Sequence, residues 1–475
     1  MLNKLRFSAA AALAMITLAA CGKFDVTNPN QPTLDDLISN PTRAKLSAAA
    51  TGLFSRSRSE ITSLIWRLGS MGREGINLAG NNQPDYQEPY FGPLSPSGFG
   101  GALWQSRFGL VRDANTYIDA LGRSGDLSAG EKAVATATAE TLKALAFMYI
   151  IETRGKLGAP VDVGRAIDAA PAPFVSEDSV YGYAIGLLED AYTKLQANNS
   201  AAFPFPVPPG LADFDTPSTF TKFVKALEAK AYVLRATAGC QSCYGKALTA
   251  LGLSFINATD PAQLQAGAYF DFSKAPNDQA NDLSEPLSGV RYFADSLILY
   301  QKAEVDSTTG AIDQRLTSKT AAATAETPQS ISGVDITGTL KFTNYFTNGQ
   351  PDPSHGIPII KNEELILLRA EAEYFTGADT NAVNDLNFVR VNSGHLTPLK
   401  SFPSQAAFVS DLLYEREFSL LWEQGTTWID ARRFNQLGTI PVGVSNGGHV
   451  PTVMPIPAAE CSARSLPGNC NPLGG

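Results

Sequence analysis

Tyr414-Glu415-Arg416-Glu417-Phe418-Ser419-Leu420-Leu421-Trp422-Glu423-Gln424-Gly425-Thr426-Thr427-Trp428-Ile429-Asp430-Ala431-Arg432-Arg433 is the stretch on which the rest of the chain is read. It predicts a helix over 404–424 that stops at Gly425 and a second helix over 426–437. Arg416 and Glu423 are seven apart, which places them on one helical face, two turns separated. Asp430 with Arg432 or Arg433 can complete a polar network across the Gly425 turn, and such a network can fix a corner. The competing reading makes Glu415, Glu423 and Asp430 a catalytic carboxylate set. Carboxylates paired with arginines have lowered pKa values, the wrong direction for a general acid. The structural reading is therefore preferred.

Outward from this corner the periodic segments are nearly all helical. Residues 33–58, 102–121, 128–154, 177–197, 217–238, 243–255, 361–376 and 379–392 carry apolar residues at helical spacing. Ser128 with Glu131 reads as a capping box. Ala370, Tyr374, Gly377, Ala382 and Leu386 fall where a tetratricopeptide-like hairpin needs small, aromatic and turn residues. One hairpin cannot bury its face alone, so stacked pairs are expected. The fold class is all-α: tetratricopeptide-like helix pairs in an α-α superhelix, with long irregular loops and a few short strands. The loops are residues 66–101, 199–217 and 256–360, with Leu340-Lys341-Phe342 and Ile357 to Ile360 as strand-like pieces.

Lys4 and Arg6 precede an apolar run from Phe7 to Leu18, too short to span a bilayer stably. Leu18-Ala19-Ala20-Cys21 then forms a lipobox, so residues 1–20 are expected to be removed and Cys21 lipidated. Several acyl chains on one cysteine give stable anchoring. Gly22 and Lys23 lack the acidic residue that would favour retention at the inner membrane. Residues 21–475 read as a single domain with a loop-rich N-terminal part, about 21–215, and a helical C-terminal part, about 216–475. No other stretch was expected to cross a membrane. The formal charge of −9 includes Lys4 and Arg6, and no basic stripe accompanies it. Nucleic acid and electrostatic membrane binding are thereby disfavoured.

The four remaining cysteines, Cys240, Cys243, Cys461 and Cys470, suit two local disulfides in an exported protein, with pairing across as the alternative. His355, His395 and His449 have no ligand-like spacing, so no metal site and no cofactor are expected. Phosphate-binding loops and a nucleophile elbow are absent from the sequence.

Several motifs then fall in the order found in one family. Phe24 to Thr33 follows the lipobox, and Met71 to Leu78 follows the first helix. Next come Trp104, Phe108 and Arg112, then Ala139-Glu140 through Tyr149, then Asp313-Gln314-Arg315. Glu363-Glu364-Leu365 precedes the opening signature, and Pro455-Ile456-Pro457 follows it. Together they resemble the SusD/RagB family of nutrient-capturing surface lipoproteins, over nearly the whole mature chain. Thr427, where the family usually has Arg, and the Cys-bracketed tail depart from its pattern. The resemblance implies a non-catalytic, outward-facing outer-membrane lipoprotein. It also implies a partner, a SusC-like TonB-dependent transporter, and a nutrient ligand: a glycan or oligosaccharide, with peptide as a further class.

Within residues 66–101 the expected ligand contacts are Arg73, Asn77, Asn81, Asp85, Tyr86, Tyr90 and Phe91. Sugar CH faces stack on exposed rings, while amide, guanidinium and carboxylate groups bind hydroxyls. For Tyr86 and Tyr90, anchoring the loop to the helices is an equal reading. For Trp66 and Trp104 packing is favoured. Two further functions remain: a surface glycoside hydrolase, which would need two carboxylates facing across a cleft, and a structural lid or adhesion lipoprotein without a small ligand.

Overall fold

The computed structural model describes residues 34–79, 83–166, 168–276, 278–331, 334–442 and 450–474. The lipobox and Cys21, the mature start at Phe24 to Thr33, Asn81 and His449 lie outside these residues. The helices are α1 (Leu34–Ser39), α2 (Arg43–Arg58), α3 (Ile61–Gly72), α4 (Gln83–Phe91), α5 (Gln105–Arg123), α6 (Ala129–Arg154), α7 (Glu177–Ala197) and α8 (Pro217–Thr237). They continue with α9 (Cys243–Gly252), α10 (Ser296–Lys302), α11 (Gln314–Lys319), α12 (Asn362–Phe375), α13 (Asp379–Asn392), α14 (Gln405–Ser419), α15 (Thr426–Arg433) and α16 (Ala458–Ala463). Strands β1 (Gly75–Asn77), β2 (Gly267–Phe270), β3 (Tyr292–Ala294), β4 (Thr320–Ile331), β5 (Val334–Phe342) and β6 (Ile357–Lys361) form two-stranded pieces only.

The helices stack in chain order: α5 on α6, α6 on α7, α7 on α8, α8 on α9, α9 on α12, α12 on α13, and α14 on α15. The expected pairs are present for the expected reasons. Ser128 and Glu131 make both halves of the capping box that starts α6. Ala370, Ala382 and Leu386 are fully buried. The Tyr374 ring stacks on Phe408 at 3.8 Å, and Gly377 opens the turn with φ +86°. Helix α6 is long and apolar enough to cross a membrane, which the sequence reading did not allow for. It is the core helix, with its apolar window almost wholly buried by its neighbours. Residues 33–58 form two helices, because Pro41 breaks the run and Thr42 caps α2 by accepting from the Lys45 amide. Both local disulfides, Cys240–Cys243 and Cys461–Cys470, are formed.

The signature corner differs in one respect from its sequence reading. Helix α14 ends at Ser419, and Trp422 takes a left-handed φ of +57° inside the turn. Glu423 therefore leaves the Arg416 face and pairs with Lys319 at 2.8 Å and Lys361 at 2.6 Å. The network across Gly425 is formed by Arg416 to Asp430, 2.7 Å, and by Arg433, which bridges Asp430 at 2.8 Å and Glu371 at 2.5 Å. Gly425 itself sits at φ +66°, and a Cβ there would lie 2.5 Å from the Leu68 Cβ of α3. Gly425→Ala combines backbone strain with a clash. It is expected to lower stability by roughly 2–3 kcal/mol in urea unfolding, whereas Gly186→Ala, on open helix surface, should be neutral or slightly stabilising.

Buried carboxylates dominate the interior electrostatics. Glu152 is buried at the end of α6, with Oε1 lacking any hydrogen-bond partner among the described residues. Burial pushes its carboxyl up to about 7, and Lys230 offsets this only in part. The unfolded chain ionises this group near 4.5, so the folded state binds the extra proton between the two values. Stability is expected to fall as pH rises from about 4.5 to about 7 and to level off above that. Glu152→Gln should therefore raise the melting temperature at pH 8 by more than at pH 4, with a pH 8 gain of about 1–3 kcal/mol.

Candidate functional site

The 66–101 stretch is ordered by helices rather than left as one long loop. Trp66 lies on the buried face of α3 and meets Phe99 edge-on at 5.7 Å. Trp104 stacks on Phe174 at 5.9 Å, so both tryptophans pack as expected. Beyond α3, Arg73 takes φ +63° and turns the chain into β1, which pairs with β3 from Gly75↔Ala294 to Asn77↔Tyr292.

The expected contact residues do gather, but they face inward. Arg73 has no exposure; its Nη1 donates to the Ser70 and Pro89 carbonyls, and its guanidinium lies 4.1 Å over the Tyr90 ring. Asn77 donates to Asp85 at 3.3 Å, and Asp85 sits 3.9 Å from Arg67. Tyr86 and Tyr90 are 3% and 1% exposed, in an apolar cluster with Ile76, Leu78 and Phe293, against which Phe91 packs half-buried. The expectation of open stacking rings at Tyr86 and Tyr90 is thereby corrected. Polar neighbours in sequence did not mean exposure, because β3 and the β4–β5 hairpin cover this face. Tyr345 is also buried, donating to the Trp422 carbonyl at 2.7 Å. Tyr86→Ala is expected to cost roughly 3–5 kcal/mol of folding stability, measured by urea unfolding, as deletion of a buried ring does.

The same cluster forms the floor of a cavity of about 540 Å³, bounded by β3, α10 and the β4–β5 hairpin. Its size suits a small organic ligand. Ile76, Phe293 and Ile336 supply apolar wall, with the Phe293 ring against Gly338, where any Cβ would approach within 2.5 Å. Gln301, Asp335 and Thr337 supply hydrogen-bonding groups. Tyr90 reaches this cavity, and its hydroxyl lies 3.3 Å from both the Gly75 carbonyl and Asp295. Asp295 caps α10 by accepting from the Ile298 amide, and burial pushes its carboxyl up despite that bond and the nearby Arg73. At the rim Leu297 is 61% exposed. The lining comes from five separated segments with no shared motif.

The carboxylates weighed as a catalytic set are structural. Glu415 is fully buried between Arg315 at 2.5 Å and Arg390 at 2.9 Å. Asp430 is shared by Arg416 and Arg433. Burial raises both carboxyls. At Asp430 the two arginines outweigh it and the pKa is lowered as expected; at Glu415 burial prevails and the pKa is raised. Among the described residues no three His, Cys, Asp or Glu side chains are grouped to hold a metal.

No family model matches the chain, and no curated protein matches it. Solved structures do. A SusD superfamily protein from Bacteroides vulgatus superposes with a TM-score of 0.68 at 14% identity, covering 90% of this chain and 98% of that one. A SusD-like carbohydrate-binding protein from Bacteroides fragilis gives 0.67 at 14% identity, covering 90% and 99%. NanU from B. fragilis gives 0.63 at 15% identity, covering 92% and 97%. The chain has the SusD-superfamily fold from end to end of these relatives.

Proposed function

We propose, from a chain with the SusD-superfamily fold, a non-catalytic nutrient-binding lipoprotein of the outer membrane, anchored at Cys21 and facing outward. It captures a glycan or oligosaccharide and passes it to a TonB-dependent transporter of the SusC type. The lipobox supports the anchor, and one relative of the same fold is described as carbohydrate-binding. The observation that carries the reading is the cavity against α10, where an apolar floor meets Gln301, Asp335 and Thr337 beside the exposed Leu297. A sugar ring offers the matching surface, CH groups on one face and hydroxyls at its edge.

A shallow site of this kind binds weakly, and tethering beside a transporter raises the local concentration of what it holds. Capture requires no bond to be broken, and the buried Glu415 and Asp430 are held in ion pairs that fix the corner.

The test is affinity electrophoresis of the Cys21→Ser chain in gels containing a panel of polysaccharides, with reducing-end release followed in parallel. At least one polysaccharide should retard the protein without turnover. Gln301→Ala, at an exposed residue of the cavity wall, should weaken that retention about tenfold, ~1.4 kcal/mol, at unchanged melting temperature. Release of reducing ends would replace this reading with a hydrolase, and no retention across the panel would favour a structural lid.

A further inference from the structure

A second cavity, of about 520 Å³, shares no lining residue with the first. It lies where the end of α6, the start of α7, the end of α8 and the end of α15 meet. Its interior is largely apolar, with Leu234, Ile429 and the Tyr181 ring nearly or fully buried around it. Besides Arg433, which is already paired with Asp430 and Glu371, three charged side chains line it: Lys156, Glu177 and Arg432.

None of the three charges is fully matched. Arg432 is held rigidly: Nη2 donates to the Glu152 carbonyl at 2.6 Å, and the guanidinium lies 4.5 Å over the Trp428 ring. Its Nη1 is buried and has no partner among the described residues. Unpartnered buried guanidinium nitrogens recur in this protein, at Arg107 and Arg416 for example, but Arg432 also lines a cavity that holds an unpaired carboxylate. Glu177, half-buried at the first position of α7, makes no hydrogen bond or ion pair among the described residues. Burial raises its carboxyl, while Arg432 and Lys156 act on it only through space. Cation and anion thus face one apolar cavity without closing on each other.

We propose that this cavity binds a small zwitterion of the free α-amino-acid class. Its carboxylate meets Arg432 Nη1 and Lys156, its ammonium meets Glu177, and its apolar side chain lies against Leu234 and Ile429. A carboxylate completes the guanidinium fork, and charge-assisted bonds of this kind are the strong ones. The ammonium supplies the counter-charge that Glu177 lacks, so that binding removes two unmatched groups at once. This site is independent of the first cavity, and its failure would leave the glycan reading untouched.

The probe is L-leucine, titrated calorimetrically into the full chain carrying Cys21→Ser, beside N-acetyl-L-leucine and L-leucinamide, which block one charge each. Leucine should bind with heat, and both blocked forms should bind at least tenfold more weakly. Because Arg432 also packs on Trp428, the informative variant is Glu177→Gln, which keeps the side chain's volume at a carboxylate with no hydrogen bond or ion pair among the described residues. It should weaken leucine binding at least tenfold while melting temperature and polysaccharide retention stay unchanged. Equal binding of leucine and N-acetyl-leucine, no measurable heat with leucine, or full affinity in Glu177→Gln would each overturn the proposal.

Discussion

One buried carboxylate ties the end of α3 to the turn between α14 and α15. Glu74, just beyond α3, accepts from the Trp422 amide at 2.8 Å and from the Thr427 hydroxyl at 2.7 Å. It has no exposure, and burial pushes its carboxyl up to about 7 against the pull of those bonds. The turn it clamps carries Trp422, whose indole stacks on Phe342 at 4.2 Å and meets Tyr292 at 6.1 Å. Those two rings belong to β5 and β3, the strands that bound the first cavity. The path from Glu74 to the candidate ligand face is therefore three contacts long.

The other buried charges specify position in the same way. Asp313, Arg315, Glu415 and Arg390 join α11, α13 and α14. Lys361 and Lys319 converge on Glu423. Networks of this kind contribute little net stability, because each ion is taken out of water. Their effect is directional: each allows one mutual placement of segments far apart in sequence. Function is then left to what projects beyond the helices, the β4–β5 hairpin and α10.

Much of the scaffold was legible because its signals are local. Helix α7 begins and ends where the Val180, Ala184, Leu188 face predicted, and α13 matches residue for residue. Ser128 with Glu131 needed only a four-residue window. Glu423 was misplaced because Trp422 adopts a left-handed conformation that a bulky residue seldom takes, and nothing adjacent forecasts it. Of the β4–β5 hairpin only Leu340-Lys341-Phe342 was legible as strand, because the Ala-Thr-rich run of β4 gives only weak alternation. For Tyr86 and Tyr90 the sequence left ligand contact and loop anchoring equal, for a different reason. Exposure depends on what lies above a ring, and here that is β3 and the hairpin, over two hundred residues further on. The first cavity, drawn from five segments, has no one-dimensional trace.

The two disulfides close loops of only three and nine residues of separation. A cross-link removes chain freedom in proportion to the logarithm of the loop it closes, so bridges this short restrain the unfolded chain little. Their influence is confined to the start of α9 and to the tail beyond α16. In thiol-rich surroundings, losing them would loosen those two edges while the helix stack and its buried ion pairs kept both cavities in shape.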